Sequence, residues 1–172
     1  MDFLELAKNR YSCRYFSNKK IEQEKIDKIL EAARLAPTGK NSQSQRILVL
    51  TEQEDLDKLS SCTPFGWNAP LVFIICYDTN ESWKRHLDHF DGGSQDACIV
   101  TTHMMLEVTD LGLGSTWIGA FSPKKARKIY NIPDHYEITA ILSVGYPSEE
   151  AHPSRLHSDR KPIEEIAFYN KF

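Results

Sequence analysis

Leu71-Val72-Phe73-Ile74-Ile75-Cys76-Tyr77 is an unbroken apolar run set between Pro70 and Asp78. It is far shorter than the roughly 20 residues that a membrane helix needs. Its branched and aromatic side chains, without polar alternation, mark a β-strand covered on both faces. Ile47-Leu48-Val49-Leu50 reads the same way. Two such strands require a sheet with helices above and below it.

Working outward, residues 3–9 form a short helix behind the cap residue Asp2, and residues 10–21 an irregular, partly extended connection. Ile26, Ile29, Leu30 and Ala33 recur at helical spacing over residues 22–35, and Pro37-Thr38-Gly39 halts that pattern. A polar helix over 52–61 turns Leu56 and Leu59 inward. In the longest helix, 94–111, Ile99, Thr102, Met105, Leu106 and Thr109 mark part of a wide apolar or small-residue face, and Gly112 stops it in a left-handed cap. A third strand covers 115–118, a helix opened by Ser122 covers 123–130, and a fourth strand covers 138–144. Residues 146–172 carry Pro147, Pro153 and Pro162 and no sustained period, yet Ile163, Ile166, Phe168, Tyr169 and Phe172 make them sticky. They read either as a frayed end or as an arm laid on a second subunit. Residues 1–172 are taken as one domain, with no repeat and no linker.

The chain has 172 residues and a formal charge of −3, too weak a field to draw in nucleic acid or an anionic membrane. The first residues hold acids where a secretory signal needs bases. Cys13, Cys62, Cys76 and Cys98 show no paired spacing, so a reducing cytoplasm is expected. His86 and His89 share a helical face without a third ligand at zinc spacing, and no metal is expected. There is no Gly-x-Ser-x-Gly elbow, Walker loop or dinucleotide fingerprint. Gly112-Leu113-Gly114 follows a helix and enters a strand, the wrong order for a dinucleotide fold. With no protein nucleophile in view, a cofactor is left to supply the chemistry.

Four segments carry functional residue types. In Arg10-Tyr11-Ser12-Cys13-Arg14, alternate residues of an extended chain share one side, so Arg10, Ser12 and Arg14 converge as donors for an anion. Residues 36–45, Ala-Pro-Thr-Gly-Lys-Asn-Ser-Gln-Ser-Gln, form a donor-rich loop longer than its turn requires. In Gly112-Leu113-Gly114-Ser115-Thr116-Trp117-Ile118-Gly119-Ala120-Phe121, the small residues Gly119 and Ala120 let a flat ligand approach the backbone N–H groups. Asp159-Arg160-Lys161-Pro162 brings two late bases. Each segment alone also reads as a solvated turn or charge pair.

In this order, the four segments resemble the nitroreductase-like family of FMN flavoproteins over essentially the whole chain. The resemblance implies an α+β fold: a central, mostly antiparallel sheet of four to five strands flanked by helices. It also implies an intertwined homodimer that exchanges its C-terminal arms, residues 146–172, and holds FMN at the subunit interface. By the same likeness Arg10, Tyr11 and Ser12, with Arg160 and Lys161, hold the FMN phosphate, and Arg14 lies near the flavin pyrimidine. Pro37, Thr38, Gly39 and Asn41, supported by Gln43, come from the other subunit. The backbone at Gly119 and Ala120 faces flavin N5, with Trp117 and Ile118 behind the ring. The activity implied is hydride transfer from NADH or NADPH through flavin N5 to electron-poor acceptors such as nitroaromatics or quinones, in two half-reactions. A non-catalytic flavin-binding, storage or sensor module is the alternative. The chain departs from the family pattern where Ser44-Gln45 replaces a common Pro-Trp, and where Gly119-Ala120 replaces a common Glu-Gly. The segment 82–93, which in relatives helps cover the flavin, is short and polar here.

Overall fold

The apolar run at residues 71–77 becomes the second strand of a four-stranded sheet. In the computed structural model, which describes residues 2–172, β2 (Leu71–Asp78) lies between β1 (Gln45–Leu50) and β4 (Tyr136–Gly145). Strand β3 (Gly114–Ile118) closes the far side of β4, and every neighbouring pair is antiparallel. Pleating sends alternate side chains to opposite faces. Leu71, Phe73 and Ile75 join Ala140, Leu142 and Val144 on one face, while Val72, Ile74 and Cys76 join Leu50, Ile118 and Ile141 on the other. Both faces are covered, as the unalternating strands require. Phe73, at the centre of the first face, is fully buried; truncating such a side chain to alanine costs about 3–5 kcal/mol.

Helices α1 (Phe3–Asn9), α2 (Gln23–Leu35), α3 (Gln53–Lys58), α4 (Gly93–Asp110) and α5 (Pro123–Ile129) lie within two or three residues of their expected bounds. Asp2 caps α1 by accepting the Leu4 N–H, and Ser122 caps α5 by accepting the Lys125 N–H. Helix α2 buries Ile26, Ile29 and Ala33 against α4 and the sheet. Gly112 follows α4 with a φ of 72°, the left-handed conformation that glycine adopts without strain.

The inward face of α4 differs from the sequence reading. Ala97, Val100, Thr101, Met104 and Val108 are buried, whereas Ile99 and Thr102 are exposed and Met105, Leu106 and Thr109 are half-buried. This helix is apolar or small nearly all round, so periodicity cannot select one side. Small residues decide it: Ala97 and Thr101 are fully buried, and the Thr101 hydroxyl is satisfied by donating to the Ala97 carbonyl at 2.7 Å.

The tail starts as a strap on its own chain. Ser17 N–H donates to the Tyr146 carbonyl at 2.9 Å and Ser148 N–H to the Tyr15 carbonyl at 3.1 Å. The Tyr15 ring then stacks on His152, and Tyr11 meets His157 edge-on. Beyond two short 3-10 turns, Arg155–His157 and Ile163–Glu165, the side chains of Ile163, Ile166, Phe168, Tyr169 and Phe172 stay exposed. Among the described residues no helix is long and apolar enough to cross a membrane.

Tyr146 also ties the strap to the start of α2. Its hydroxyl donates to Glu22 at 2.6 Å, and Lys19 pairs with the same carboxylate at 3.2 Å. The Tyr146 hydrogen bond, then the Glu22 backbone N–H and Lys19, hold the Glu22 carboxyl down at about 2. A depressed carboxylate stabilises the fold above its unfolded value and loses that contribution as pH falls through the folded one. The Glu22 contribution therefore disappears between about 4.5 and 2. Replacing Tyr146 with Phe removes the donor and should move the Glu22 titration, followed by carboxyl carbon NMR, up toward 4.5. An unmoved midpoint would show that the tyrosine does not set it.

Candidate functional site

The open edge of β3 is covered by the early arginine segment. Ser12 bridges Ser115 in parallel, the Cys13 N–H donates to the Ser115 carbonyl at 2.9 Å, and the Thr116 hydroxyl donates to the Cys13 carbonyl. This approach depends on residue 114 lacking a side chain. A Cβ at Gly114 would sit 2.6 Å from Cys13 Cβ and 2.8 Å from its Sγ.

Pinned to β3 in this way, the segment presents its two arginines differently. Arg10 follows α1 directly and lies close enough to Arg160 of the tail strap for the two charges to repel. Burial first, and then the Arg160 charge, lower the Arg10 pKa below its usual range. Arg160 donates to the Leu156 and Asp159 carbonyls at 3.1 and 2.7 Å. Among the described residues no carboxylate pairs with Arg10, Arg14 or Arg160. Two guanidinium groups held together without an acid make a site for a dianion such as a phosphate monoester. Lys161 turns instead to Glu165 at 3.7 Å, so Arg160 alone of the late bases joins Arg10. Tyr11 contributes an edge-on ring contact to His157 that ties this segment to the strap.

Arg14 donates to the Ser12 carbonyl at 3.3 Å and lies over the Trp67 ring, 5.7 Å from its centroid. The loop that carries Trp67 also grips the exit of β3. Thr63 donates its hydroxyl to the Ala120 carbonyl at 2.8 Å, and the Ser122 N–H donates to the Cys62 carbonyl at 2.9 Å. Gly119 and Ala120 are exposed, and a Cβ at Gly119 would meet nothing within 4 Å. The loop of Thr63 and Trp67 thus links the open backbone at Gly119 and Ala120 to Arg14. Trp117 and Ile118 cannot both lie behind one planar ring, because they point to opposite faces of the sheet. Trp117 packs with α2 and α4, and Ile118 is a core residue among Leu50, Ile74 and Ile141.

The donor-rich loop lies elsewhere. Gly39 N–H donates to both Asp96 oxygens at 3.0 and 3.1 Å, and Gln43 N–H donates to the Thr38 hydroxyl at 3.0 Å. Lys40, Asn41 and Gln43 take φ values of 52°, 55° and 49°, a succession of left-handed turns that keeps the loop compact. The Gln43 amide donates to the Asn41 carbonyl, and Pro37, Asn41 and Gln43 are exposed. Where the family often has Pro-Trp, Ser44 is buried and its carbonyl accepts the Asp78 N–H at 2.8 Å, while the Ser44 hydroxyl and the Gln45 side-chain oxygen have no partner. Within the short segment at 82–93, Trp83 packs against Gly39, with its Cβ 3.0 Å from the position a Gly39 Cβ would take. This loop leads into β1, at the opposite edge of the sheet from β3. Three strand spacings, about 14 Å, separate those edges. The chain therefore carries residues 10–14, Arg160 and the backbone at Gly119 and Ala120 on its β3 side, and Pro37, Thr38, Gly39, Asn41 and Gln43 on its β1 side.

The four thiols offer no nucleophile. Burial raises Cys13, Cys62 and Cys98, and pushes Cys76 up to about 12, so none is poised as a thiolate at neutral pH. The sequence reading missed Thr63, Trp67 and Asp96, and took Trp83 only as part of the 82–93 segment. Asp96 carried a usable signal, an acid in the first turn of the largely apolar helix α4 that must find donors when buried. The others act through contacts distant in sequence and had none.

Residues 7–146 match the family model described as the nitroreductase family. The chain belongs to the nitroreductase family. A nitroreductase family protein from Clostridium difficile has the same fold, with a TM-score of 0.94 and 42% identity over 100% of both chains. An FMN-dependent nitroreductase from a second Clostridium difficile strain aligns at a TM-score of 0.83 with 30% identity, covering 99% of this chain and 100% of that one. A provisionally assigned NADH dehydrogenase/NAD(P)H nitroreductase from Archaeoglobus fulgidus is 31% identical over 91% of this chain and 97% of its own length. In this chain, Gly114→Ala should force residues 12–13 off β3 and lower stability by about 1–3 kcal/mol, the usual cost of overpacking. Urea denaturation measures it, and an unchanged midpoint and slope would mean that the close approach is not needed.

Proposed function

We propose that this nitroreductase binds FMN between two copies of the chain and uses it to pass electrons from NADH or NADPH to electron-poor small molecules such as nitroaromatics or quinones. Bound FMN supplies the redox chemistry, two half-reactions in which hydride is accepted from the nicotinamide and the electrons then pass to the acceptor. The observation that carries this reading is the pair Arg10 and Arg160, without a carboxylate partner among the described residues and on the β3 side with Arg14 and the open backbone at Gly119 and Ala120. Arg10 and Arg160, with Ser12, hold the phosphate end. Arg14 keeps a fixed positive charge where the pyrimidine end gains negative charge on reduction, and such preorganised charge costs no reorganisation during the reaction. The backbone N–H groups at residues 119–120 are the donors beside the ring. No side chain is needed as a general acid or base.

A second copy completes the site. Pro37, Thr38, Gly39, Asn41 and Gln43 lie across the sheet from Arg10, so in a two-fold dimer the loop of one protomer serves the arginines of its partner. The exposed apolar side chains Phe3, Leu35 and Ile99, with the exposed tail from Ile163 to Phe172, provide the surface for that association. The tail strap up to Arg160 stays with its own chain, and the exchanged arm begins beyond it. We place the protein in the cytoplasm, where nicotinamide donors are held reduced and its four free thiols persist.

Charge-assisted hydrogen bonds contribute about 1.5–3 kcal/mol each. Arg10→Ala or Arg160→Ala should therefore weaken FMN binding by roughly 10- to 150-fold, measured by fluorescence titration of the flavin-free protein. Wild-type protein should be yellow and bleach under argon on addition of NADH or NADPH. A folded protein that takes up no FMN would overturn the proposal, and one that binds FMN but is never reduced would be a binding module rather than an enzyme.

A further inference from the structure

We infer that Trp67 is a positioning residue for the redox reaction, holding the Arg14 guanidinium in the orientation that stabilises reduced flavin. The inference rests on the placement of Arg14 beside FMN argued above. Arg14 has five N–H donors in a planar fork. One of them is taken by the Ser12 carbonyl at 3.3 Å, and the group lies over the Trp67 ring at 5.7 Å, within range for a cation–π contact. With no carboxylate partner among the described residues, an aromatic face and a neutral carbonyl are its supports. They orient the cation without cancelling its charge. A carboxylate in the same place would hold the arginine equally well and remove the field that the flavin needs.

The backbone beneath Trp67 is built for this purpose. Trp67 and Asn68 have φ values of 50° and 51°, left-handed conformations that a bulky residue such as tryptophan resists. Strain of this kind persists where the surroundings over-determine it. Trp67 packs partly on the cluster around Ile74 and also borders an open cavity of about 680 Å³. Two other contacts fix the ring. Phe65 lies 5.6 Å from it, and Thr63 binds the loop to the Ala120 carbonyl while accepting the Phe65 N–H at 3.2 Å. One loop thus sets Arg14 and residues 119–120, the two ends of the ring site, at a constant separation.

The test compares Trp67→Ala, Trp67→Phe, Arg14→Ala and the double alanine variant, each loaded with FMN. The midpoint potential of the bound flavin and the FMN affinity of the flavin-free protein are measured for all four. Trp67→Ala should lower the potential in the same direction as Arg14→Ala and weaken FMN binding by between about twofold and thirtyfold, the range of a cation–π contact. Trp67→Phe, which keeps an aromatic face, should restore most of both. The double variant should be no worse than Arg14→Ala alone, because the tryptophan acts through the arginine. If Arg14→Ala shifts the potential and Trp67→Ala does not, or if the two effects simply add, the inference fails while the flavin site stands. If Arg14→Ala itself leaves potential and affinity unchanged, the placement of Arg14 fails and the role of Trp67 with it.

Discussion

The contact of Cys13 with Gly114 is the constraint from which the site follows. Residues 10–14 have no regular structure of their own, and a stretch of five residues could sample many paths beyond the end of α1. Hydrogen bonds to Ser115 and from Thr116 hold it against β3, and the missing side chain at residue 114 allows the approach. From that line Arg10 is brought to the tail and Arg14 to the 62–68 loop. The tail strap in turn lies along residues 11–17, so Arg160 arrives beside Arg10 through the same seam.

The anion site is an electrostatic imbalance maintained by neutral partners. Carbonyl oxygens of Leu156 and Asp159 accept from Arg160, the Ser12 carbonyl accepts from Arg14, and the Trp67 ring lies under Arg14. Several acids pair with other bases: Glu22 with Lys19, Glu81 with Arg46, Asp91 with Lys84, Glu165 with Lys161. The Arg160 charge, second to burial, lowers the Arg10 pKa. The donor-rich loop is held by different means. The buried carboxylate of Asp96 fixes it from α4, and Trp83 closes over Gly39, so its outward side chains are displayed on a rigid base.

Helix α4 shows where patterns stop being informative. Its sequence offers apolar or small side chains on almost every side, and the face marked by Ile99 and Thr102 is not the one that is buried. The side chosen by the fold is the one on which Ala97 and Thr101 permit close contact, while Ile99 stays exposed and Leu106 half-buried. The pairing of Trp117 with Ile118 failed for a simpler reason. Consecutive residues of a strand face opposite ways, so a two-residue motif cannot present both side chains to one ligand.

Local chemistry settled the elements. Runs such as Leu71 to Tyr77, the stop at Gly112, the cap at Ser122 and the four donor-bearing segments could all be read from residues close in the chain, since turn sterics, capping and strand burial act over a few positions. What lay beyond that range was decided by tertiary structure alone. Trp67 meets Arg14, Asp96 meets Gly39 and Arg160 meets Arg10 across separations in which the intervening chain has no say in the geometry. Sheet order has the same character. Antiparallel pairing put β1 and β3 at opposite edges, and so divided between two sides of the molecule the segments that the sequence shows only as a series.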